Sequence, residues 1–517
     1  MNSGDQHAFD AIIVGGGHNG LVAAFYLARA GKRVCVFERR SQVGGACVTE
    51  ELFPGYRVSS YSYVVWLLQP KVIADMALRR RGFSYHQLDP WRLNPYRDGS
   101  YVAYWRDEPR TQGEIARLNR SDAEAYPRFN AYWARASRLF MPFFLQDPPS
   151  LDVVREHADR LGEGVLLDQL LTRSVADVCN EFFVDTRIKA ALVKMSEVGD
   201  PLQPGGALTE SYFHSDTGLG YAVVEGGNGT VTQAMAEACR EQGVVIRTAA
   251  EVERIMVKDG RVQGVLLANG DEIRARTVLS NADPKRTYLR LLDPNSLPAG
   301  FRERVRALST RTSYLKFHCI MDRLPDLSGY LGRPAEPNET GYIHIAPSLE
   351  HFGRAHADAM SGEPAREPIV HLQISTVYDR TLTKRDGHIV SLWTLYAPPH
   401  LAHGSWDSRR QEVGERLIDY VTEFVPNFRH DIRDWRLFTP QDMERDVGLT
   451  DGNIRHLDTV PEQFLDRRPQ HNAGYGTPIR GLYLCGAGTH PGGEVSGAPG
   501  HNAAHAVLRA QAGEATA

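Results

Sequence analysis

Three glycines and one acid carry the strongest chemical signal in this sequence: Gly15, Gly17 and Gly20, followed 18 residues later by Glu38. A glycine at the first position permits a tight turn. At the second it lets the main chain approach a pyrophosphate, and at the third it lets a helix pack closely on a strand. The free N–H groups and positive dipole end of that helix then face phosphates. A carboxylate at the place of Glu38 can accept hydrogen bonds from a ribose. Gly16 and Asn19 belong to the same turn.

The neighbouring residues supply the elements this signature needs. Ala11 to Val14 is a short apolar run, consistent with a buried parallel strand. Helix formers run from Leu21 to Ala30, and Gly31 stands where a helix stops. Arg33 to Phe37 reads as a second strand ending at Glu38. The chain then continues through Arg39 into Gly44, Gly45 and Ala46, where paired glycines let a second backbone segment come close to the dinucleotide. That continuation favours FAD over NAD. A third turn lies near the C-terminus. Gly481 to Cys485 reads as a buried strand and enters a run containing Gly486, Gly488, His490, Gly492, Gly493, Glu494 and Val495, before a helical stretch from Ala498 to Ala512. The positive end of such a helix suits the pyrimidine side of an isoalloxazine, where negative charge gathers on reduction.

Two side chains in this last turn are candidate catalytic groups. His490 could polarise the flavin or accept a proton, or make a structural hydrogen bond. Glu494 could sit near the substrate face of the flavin, or be a first-turn carboxylate stabilised by the helix dipole. His501 and His505 stand four apart on the helix but lack a third ligand, so no metal site is expected. Gly227 and Gly229 resemble half of a second nucleotide fingerprint, but Thr232 occupies the place of the third glycine. Glu197, Asp200 and His214 lie in loops and receive no role.

The 517 residues are 42% hydrophobic and 24% charged with a net charge of −4, an ordinary soluble composition without a nucleic-acid footprint. Six scattered cysteines without a CxxC give neither a disulfide framework nor a zinc site. Met1 to Phe9 is short and polar, and no apolar run is long enough to span a membrane. A cytoplasmic, non-secreted protein is therefore expected. Tyr61 to Leu68 and Leu139 to Leu145 are aromatic and apolar. They read first as core or tunnel wall, and they leave peripheral membrane contact open.

Val245 to Arg247, Val252 to Val257, Val262 to Ala268 and Ile273 to Leu279 form the clearest β region, with Asp259-Gly260 and Asn269-Gly270 as hairpin turns of a three-stranded meander. Pro95 to Arg106 reads as a hairpin. Asn119 to Leu145 reads as helix, with Ser121 and Glu124 in a capping-box pattern. Strand texture returns at Ser313 to Met321, Thr340 to Ala346, Ile369 to Ser375 and His388 to Tyr396, and Ser408 to Phe424 reads as an amphipathic helix.

DAIIVGGGHNGLVAAFYLARAG, FERRSQVGGACVTEE, VEGGNGTVTQAMAEA, VLSNADP, GNIRHLDTVPEQFLDRRP and LYLCGAGTHPGGEVSGAPGHNAAHAV resemble the phytoene-desaturase and carotenoid-isomerase family of FAD-dependent oxidoreductases. They are most similar to its branch of pyridine nucleotide-disulfide oxidoreductase domain-containing proteins. The resemblance covers nearly the whole chain. It implies an α/β Rossmann-like FAD-binding domain of the two-dinucleotide-binding-domain flavoprotein type, α+β overall. A discontinuous substrate domain of antiparallel sheet and helices is inserted in it. The FAD domain would take 1–75, 215–290 and 451–517, and the substrate domain 76–214 and 291–450. Gly15, Gly17, Gly20, Glu38, Gly44, Gly45, Gly486, Gly488, Gly492 and Gly493 would line FAD, with Val252 beside the adenine.

The implied activity is dehydrogenation or desaturation of a hydrophobic, polyene or isoprenoid-like small molecule, with dioxygen or a quinone as acceptor. A flavin-dependent isomerase, an amine oxidase and a non-enzymatic lipid escort are the alternatives. Dithiol chemistry needs two cysteines about five positions apart. Here Cys47 is followed at position 52 by leucine, so that chemistry is not expected.

Overall fold

The computed structural model describes residues 9–62, 64–194, 199–215, 217–469 and 474–516. Tyr63 and Glu197 lie outside these residues.

A parallel core is built from the runs the sequence marks as buried strands. Phe9–Val14 lies between Glu272–Ser280 and Val34–Phe37, Val245–Arg247 flanks the far edge, and Leu482–Leu484 pairs with the end of Glu272–Ser280. Ile12, Ile13, Cys35 and Val36 have no exposure, as expected of strands covered on both faces. The long strand Glu272–Ser280 does two jobs. Its start closes the antiparallel meander with Val252–Lys258 and Arg261–Leu267, and its end joins the parallel core.

Helix His18–Arg29 crosses this sheet, and its close packing needs glycine. A Cβ at Gly20 would stand 2.4 Å from the Gly15 carbonyl oxygen, and one at Gly500 would stand 2.0 Å from the Asn19 carbonyl oxygen. The C-terminal helix Ala498–Thr516 can therefore lie directly on His18–Arg29.

A second sheet runs in the order Ile432–Phe438, Ser313–Met321, His388–Ala397, Ile369–Ile374, Tyr342–Ile345, Arg92–Pro95, Tyr101–Tyr104. Its strands alternate through their central residues, with register shifts near Ser313 and Met321. Phe317, Leu372, Leu392 and Ile343 point to one face, into an apolar core shared with helix Trp406–Thr422. The other face carries Arg92, His344, His371, Trp393 and Lys316, each almost fully buried.

A layer of helices from Glu108 to Leu192 packs against the rest. The capping of its longest member differs from the sequence expectation. Asn119, not Ser121, accepts the N–H of Asp122, and Ser121 donates to Asn119 instead. Most described residues of the two aromatic stretches are buried: Tyr61, Val65, Leu67 and Leu68, and Leu139, Phe140 and Phe144, are each 3% exposed or less. No helix among the described residues is long and apolar enough to cross a membrane.

Candidate functional site

A cavity of about 480 Å³ lies beyond the carboxyl ends of three adjacent strands, where Val14, Phe37 and Ser280 give way to Gly15, Glu38 and Asn281. This is the crevice where parallel sheets bind nucleotides.

The glycine turn is built around Glu38. Gly15 takes φ +97° and its N–H donates to the Phe37 carbonyl. The Glu38 carboxylate accepts the N–H of Gly16 at 2.8 Å and of Arg40 at 2.9 Å, so it braces the turn from below. Helix His18–Arg29 begins with no side-chain cap and no acid in its first turn, and Gly17, His18 and Asn19 line the cavity. Unspent N–H groups and the helix dipole at that point attract an anion.

The second backbone segment arrives through Gly44 and Gly45. Gly44 N–H donates to Gly16 O at 2.9 Å, and a Cβ on Gly45 (φ +58°) would lie 3.3 Å from Gly17 Cα. At one end of the cavity stand Val252, Ala268 and Leu291, flanked by Glu251 and Glu253. Nearby, burial and the neighbouring Arg39 lower the pKa of the Arg286 guanidinium, whose Nη1 is buried without a partner. Burial raises the carboxyl of Asp283, although the N–H groups of Arg286 and Thr450 donate to it.

At the other end, Arg455 Nη2 meets Glu494 Oε1 at 2.5 Å, with side chains 3% and 13% exposed. Glu494 takes φ +72°, and the His18 Nε2–H donates to its carbonyl at 3.1 Å. Burial lowers His18 to about 4 and His456 to about 3, so both imidazoles are neutral at ordinary pH. Arg468 fixes this region from behind. It is fully enclosed and donates to the carbonyls of Arg455, Leu457, Asp458, Gln463 and Ala487.

Of the sequence-derived candidates, Gly15, Gly17, Asn19, Glu38, Arg39, Gly44, Gly45, Ala46, Val252, Glu494 and Val495 line the cavity. Gly16, Gly20, Gly486, Gly488, Gly492 and Gly493 are not among its lining residues. Three of them pack closely: a Cβ on Gly486 would meet Asn281 O at 2.8 Å, on Gly488 Pro284 Cδ at 2.5 Å, and on Gly493 Arg455 Cγ at 2.8 Å, whereas Gly492 takes φ +133° with nothing nearer than Arg468 Nε at 3.9 Å.

His490 does not reach the cavity. Its Nε2–H donates to Phe143 O at 2.9 Å, and burial lowers it to about 4. Of the readings the sequence left open for His490, the structure contains the hydrogen bond. Glu494 is not in the first turn of a helix, because helix Ala498–Thr516 starts four residues later. Its charge meets Arg455 rather than a helix dipole. His501 and His505 face each other at 3.1 Å, and no metal-ligand cluster occurs among the described residues. His214 stacks on Trp133 and contacts Glu210, away from the cavity.

Asn281, Arg286, Trp393, Arg455 and His456 also line the cavity, and residue-level reading gave them no role. Asn281 and the pair Arg455 and His456 lie inside two of the stretches that carry the family resemblance, VLSNADP and GNIRHLDTVPEQFLDRRP. That was the available signal.

Cys47 is buried, donates its thiol to Asn228 O at 3.2 Å, and is pushed up to about 12 by burial. It is a packed thiol and not a nucleophile. All six cysteines are free and buried.

Residues 20–348 match the family described as flavin containing amine oxidoreductase. The rat pyridine nucleotide-disulfide oxidoreductase domain-containing protein 2 is 34% identical, over 97% of this chain and 93% of its own length. The lycopene-forming phytoene desaturase of Pseudescherichia vulneris is 27% identical over 94% and 96%. Among solved structures, cyclohexylamine oxidase from Brevibacterium oxydans shares the fold, with a TM-score of 0.58 and 17% identity over 98% of this chain and all of that one.

Proposed function

The chain belongs to the flavin containing amine oxidoreductase family and is an FAD-dependent oxidoreductase, and from that premise we propose that it dehydrogenates a small molecule with an apolar, isoprenoid-like body, using dioxygen or a quinone as acceptor. One observation carries the reading. Beside its polar groups, the lining of the cavity that begins at the Gly15 turn includes the apolar and aromatic side chains of Ala46, Val64, Trp393, Leu449 and Ile454. A relative named phytoene desaturase, aligned over nearly the whole length, supports the substrate class.

The residues fit FAD. Asn19 Oδ1 and Arg286 Nη1 belong to lining residues, are buried, and have no partner within the protein, which a dinucleotide would supply. In this proposal Gly15, Gly17 and the start of His18–Arg29 hold the pyrophosphate, Glu38 the ribose, and Val252 the adenine. Val495 and the Arg455–Glu494 pair border the isoalloxazine. The same proposal divides the chain into a cofactor part (1–75, 215–290, 451–517) and a substrate part (76–214, 291–450). When bound, FAD supplies the acceptor for a hydride leaving a substrate C–H bond. The protein's own contribution is position and dryness. Arg468 holds the Arg455 loop against the 486–495 turn, and the apolar side chains from Val64 to Ile454 keep water from the reacting bond.

Amine oxidation is the second reading, because the family description names it. Ala46 stands after Gly44-Gly45 where amine oxidases commonly carry arginine, which counts against it. The intact glycine set with Glu38 counts against an escort protein. Anaerobic titration of the yellow protein with polyenes, isoprenoid lipids and amines tests the proposal. Bleaching by an isoprenoid supports it, and bleaching by amines alone replaces it with the second reading. Product formed without consumption of an acceptor would mean an isomerase.

A further inference from the structure

Two histidines on the cavity wall keep ring nitrogens unspent. His18 and His456 both line the cavity and are only half-buried, so part of each ring is open to it. His18 is the first residue of helix His18–Arg29, and its Nε2–H donates to Glu494 O at 3.1 Å. A carbonyl oxygen only accepts, so the ring proton sits on Nε2 and Nδ1 presents a lone pair. That Nδ1 has no partner among the described residues.

His456 holds φ +66°, a conformation that a non-glycine residue keeps only where its surroundings demand it. The C-terminal turn leaves room for its ring: a Cβ on Gly486 would stand 2.9 Å from His456 Cε1 and 3.0 Å from Nδ1. Neither ring nitrogen has a hydrogen-bond partner among the described residues, and Nδ1 is buried. Burial, helped by the neighbouring Arg468 and His18, keeps this imidazole neutral at ordinary pH. One of its nitrogens therefore donates and the other accepts. Leaving both unspent is costly unless a ligand meets them.

These rings restrict what can lie beside the phosphate site. The N–H groups at the start of His18–Arg29 suit an anion, yet the lone pair on His18 Nδ1 repels phosphate oxygens. Charging His18 is opposed by burial and by the positive end of its own helix. The group that meets Nδ1 is therefore a donor adjoining the phosphate. A hydroxyl is such a donor, and because it also accepts, it satisfies His456 in either tautomer. We propose that His18 and His456 grip a polyol linker, the ribityl chain of FAD, with one hydroxyl donating to His18 Nδ1 and another bonded to the ring of His456. This rests on the FAD reading, and it assigns the part of the cofactor that neither the glycines nor Glu38 account for.

The test loads the full chain, stripped of flavin, with FAD and with its 2′-, 3′- and 4′-deoxyribityl analogues, and reads dissociation constants from flavin absorption and fluorescence. At least one analogue should bind the wild type about tenfold or more weakly than FAD, the size of one hydrogen bond whose buried partner is left unpaired. His18→Phe or His456→Phe, whichever residue that hydroxyl meets, should bind the analogue as well as FAD, because variant and analogue remove the same bond. His18→Gln, which keeps an acceptor, should retain part of the discrimination. A purely structural role would weaken all four ligands alike in the variants and leave their ratios unchanged, and that result would overturn the proposal. Equal binding of the four ligands to the wild type would overturn it too, so the wild-type series decides even where a variant does not fold. A chain that takes up no flavin at all would overturn the cofactor reading along with it.

Discussion

Arg455 and Glu494 form a buried ion pair, Nη2 to Oε1 at 2.5 Å, on the wall of the cavity that begins at the glycine turn. Two loops far apart in sequence are joined by it, one from the 452–469 stretch and one from the C-terminal turn. Glu494 adopts φ +72° to make the contact, a conformation a non-glycine residue holds only when its surroundings demand it. Removing one partner leaves a buried charge. Glu494→Gln should cost about 3–5 kcal/mol, read as a fall in unfolding midpoint, and the double variant Glu494→Gln with Arg455→Met should recover much of it. Additive losses would show that the pair is not coupled.

Glu38 braces the glycine turn through Gly16 and Arg40. Glu38→Ala removes both acceptors and the ribose partner. FAD affinity, measured by flavin fluorescence on dilution, should fall by about tenfold to a hundredfold, the size of one or two charge-assisted hydrogen bonds. An unchanged dissociation constant would place the ribose elsewhere.

Two glycine-to-alanine changes should behave oppositely. Gly20→Ala drives a Cβ to 2.4 Å from Gly15 O, so helix and turn must separate and flavin content should drop sharply. Gly113→Ala meets nothing within 4 Å inside a helix and should stabilise by about 0.5–1 kcal/mol. Thermal melts with flavin content per chain compare the two.

Acid should destabilise the protein well before its carboxylates titrate. Burial lowers His18, His490 and His501 to about 4 and His318 and His456 to about 3, below the ordinary 6.5. Between those values the unfolded chain binds more protons than the native one, so stability falls as pH falls from 6.5 toward 4. Each such group adds a slope of about 1.4 kcal/mol per pH unit. Asp431, lowered to about 2 chiefly by its Arg323 partner, adds to the loss only below 3.8. The buried Asp283 is raised and opposes it in part. Melting midpoints from pH 7 to 4 check the slope, and a flat curve down to pH 5 would contradict it.

Thiol titration checks the absence of dithiol chemistry. All six cysteines are buried, and burial raises every one of their pKa values. A disulfide reagent should react with almost none in the native state and with six after denaturation. A fast-reacting thiol in the native protein would reopen the question for Cys47.

The nucleotide half of the fold was legible because its signals are local. Gly15, Gly17 and Gly20 are fixed by distances within one turn, and Asp259-Gly260 and Asn269-Gly270 mark the meander whose strands the structure contains. The strands from Ser313 to Tyr396 were also readable, since runs of β-branched and aromatic residues between proline- and glycine-rich loops show within a few residues. The other lining residues depend on tertiary proximity. Arg455 and Trp393 reach the cavity from segments 62 residues apart, and nothing in their local pattern separates them from ordinary surface arginine or core tryptophan. His490 went the other way: a histidine in a glycine-rich turn has a chemical look, but the turn aims it at Phe143 O. Glycines 486, 488 and 493 were equally ambiguous, because close packing against Asn281, Pro284 and Arg455 demands the same residue as close approach to a cofactor.

The visible absorption spectrum of the purified full chain tests the central claim most directly, that the cavity from Gly15 to Arg455 holds FAD. The account predicts a yellow protein with about one FAD per chain, whose flavin bands are lost in Glu38→Ala on dilution. A colourless wild type that cannot be reconstituted with FAD would contradict it.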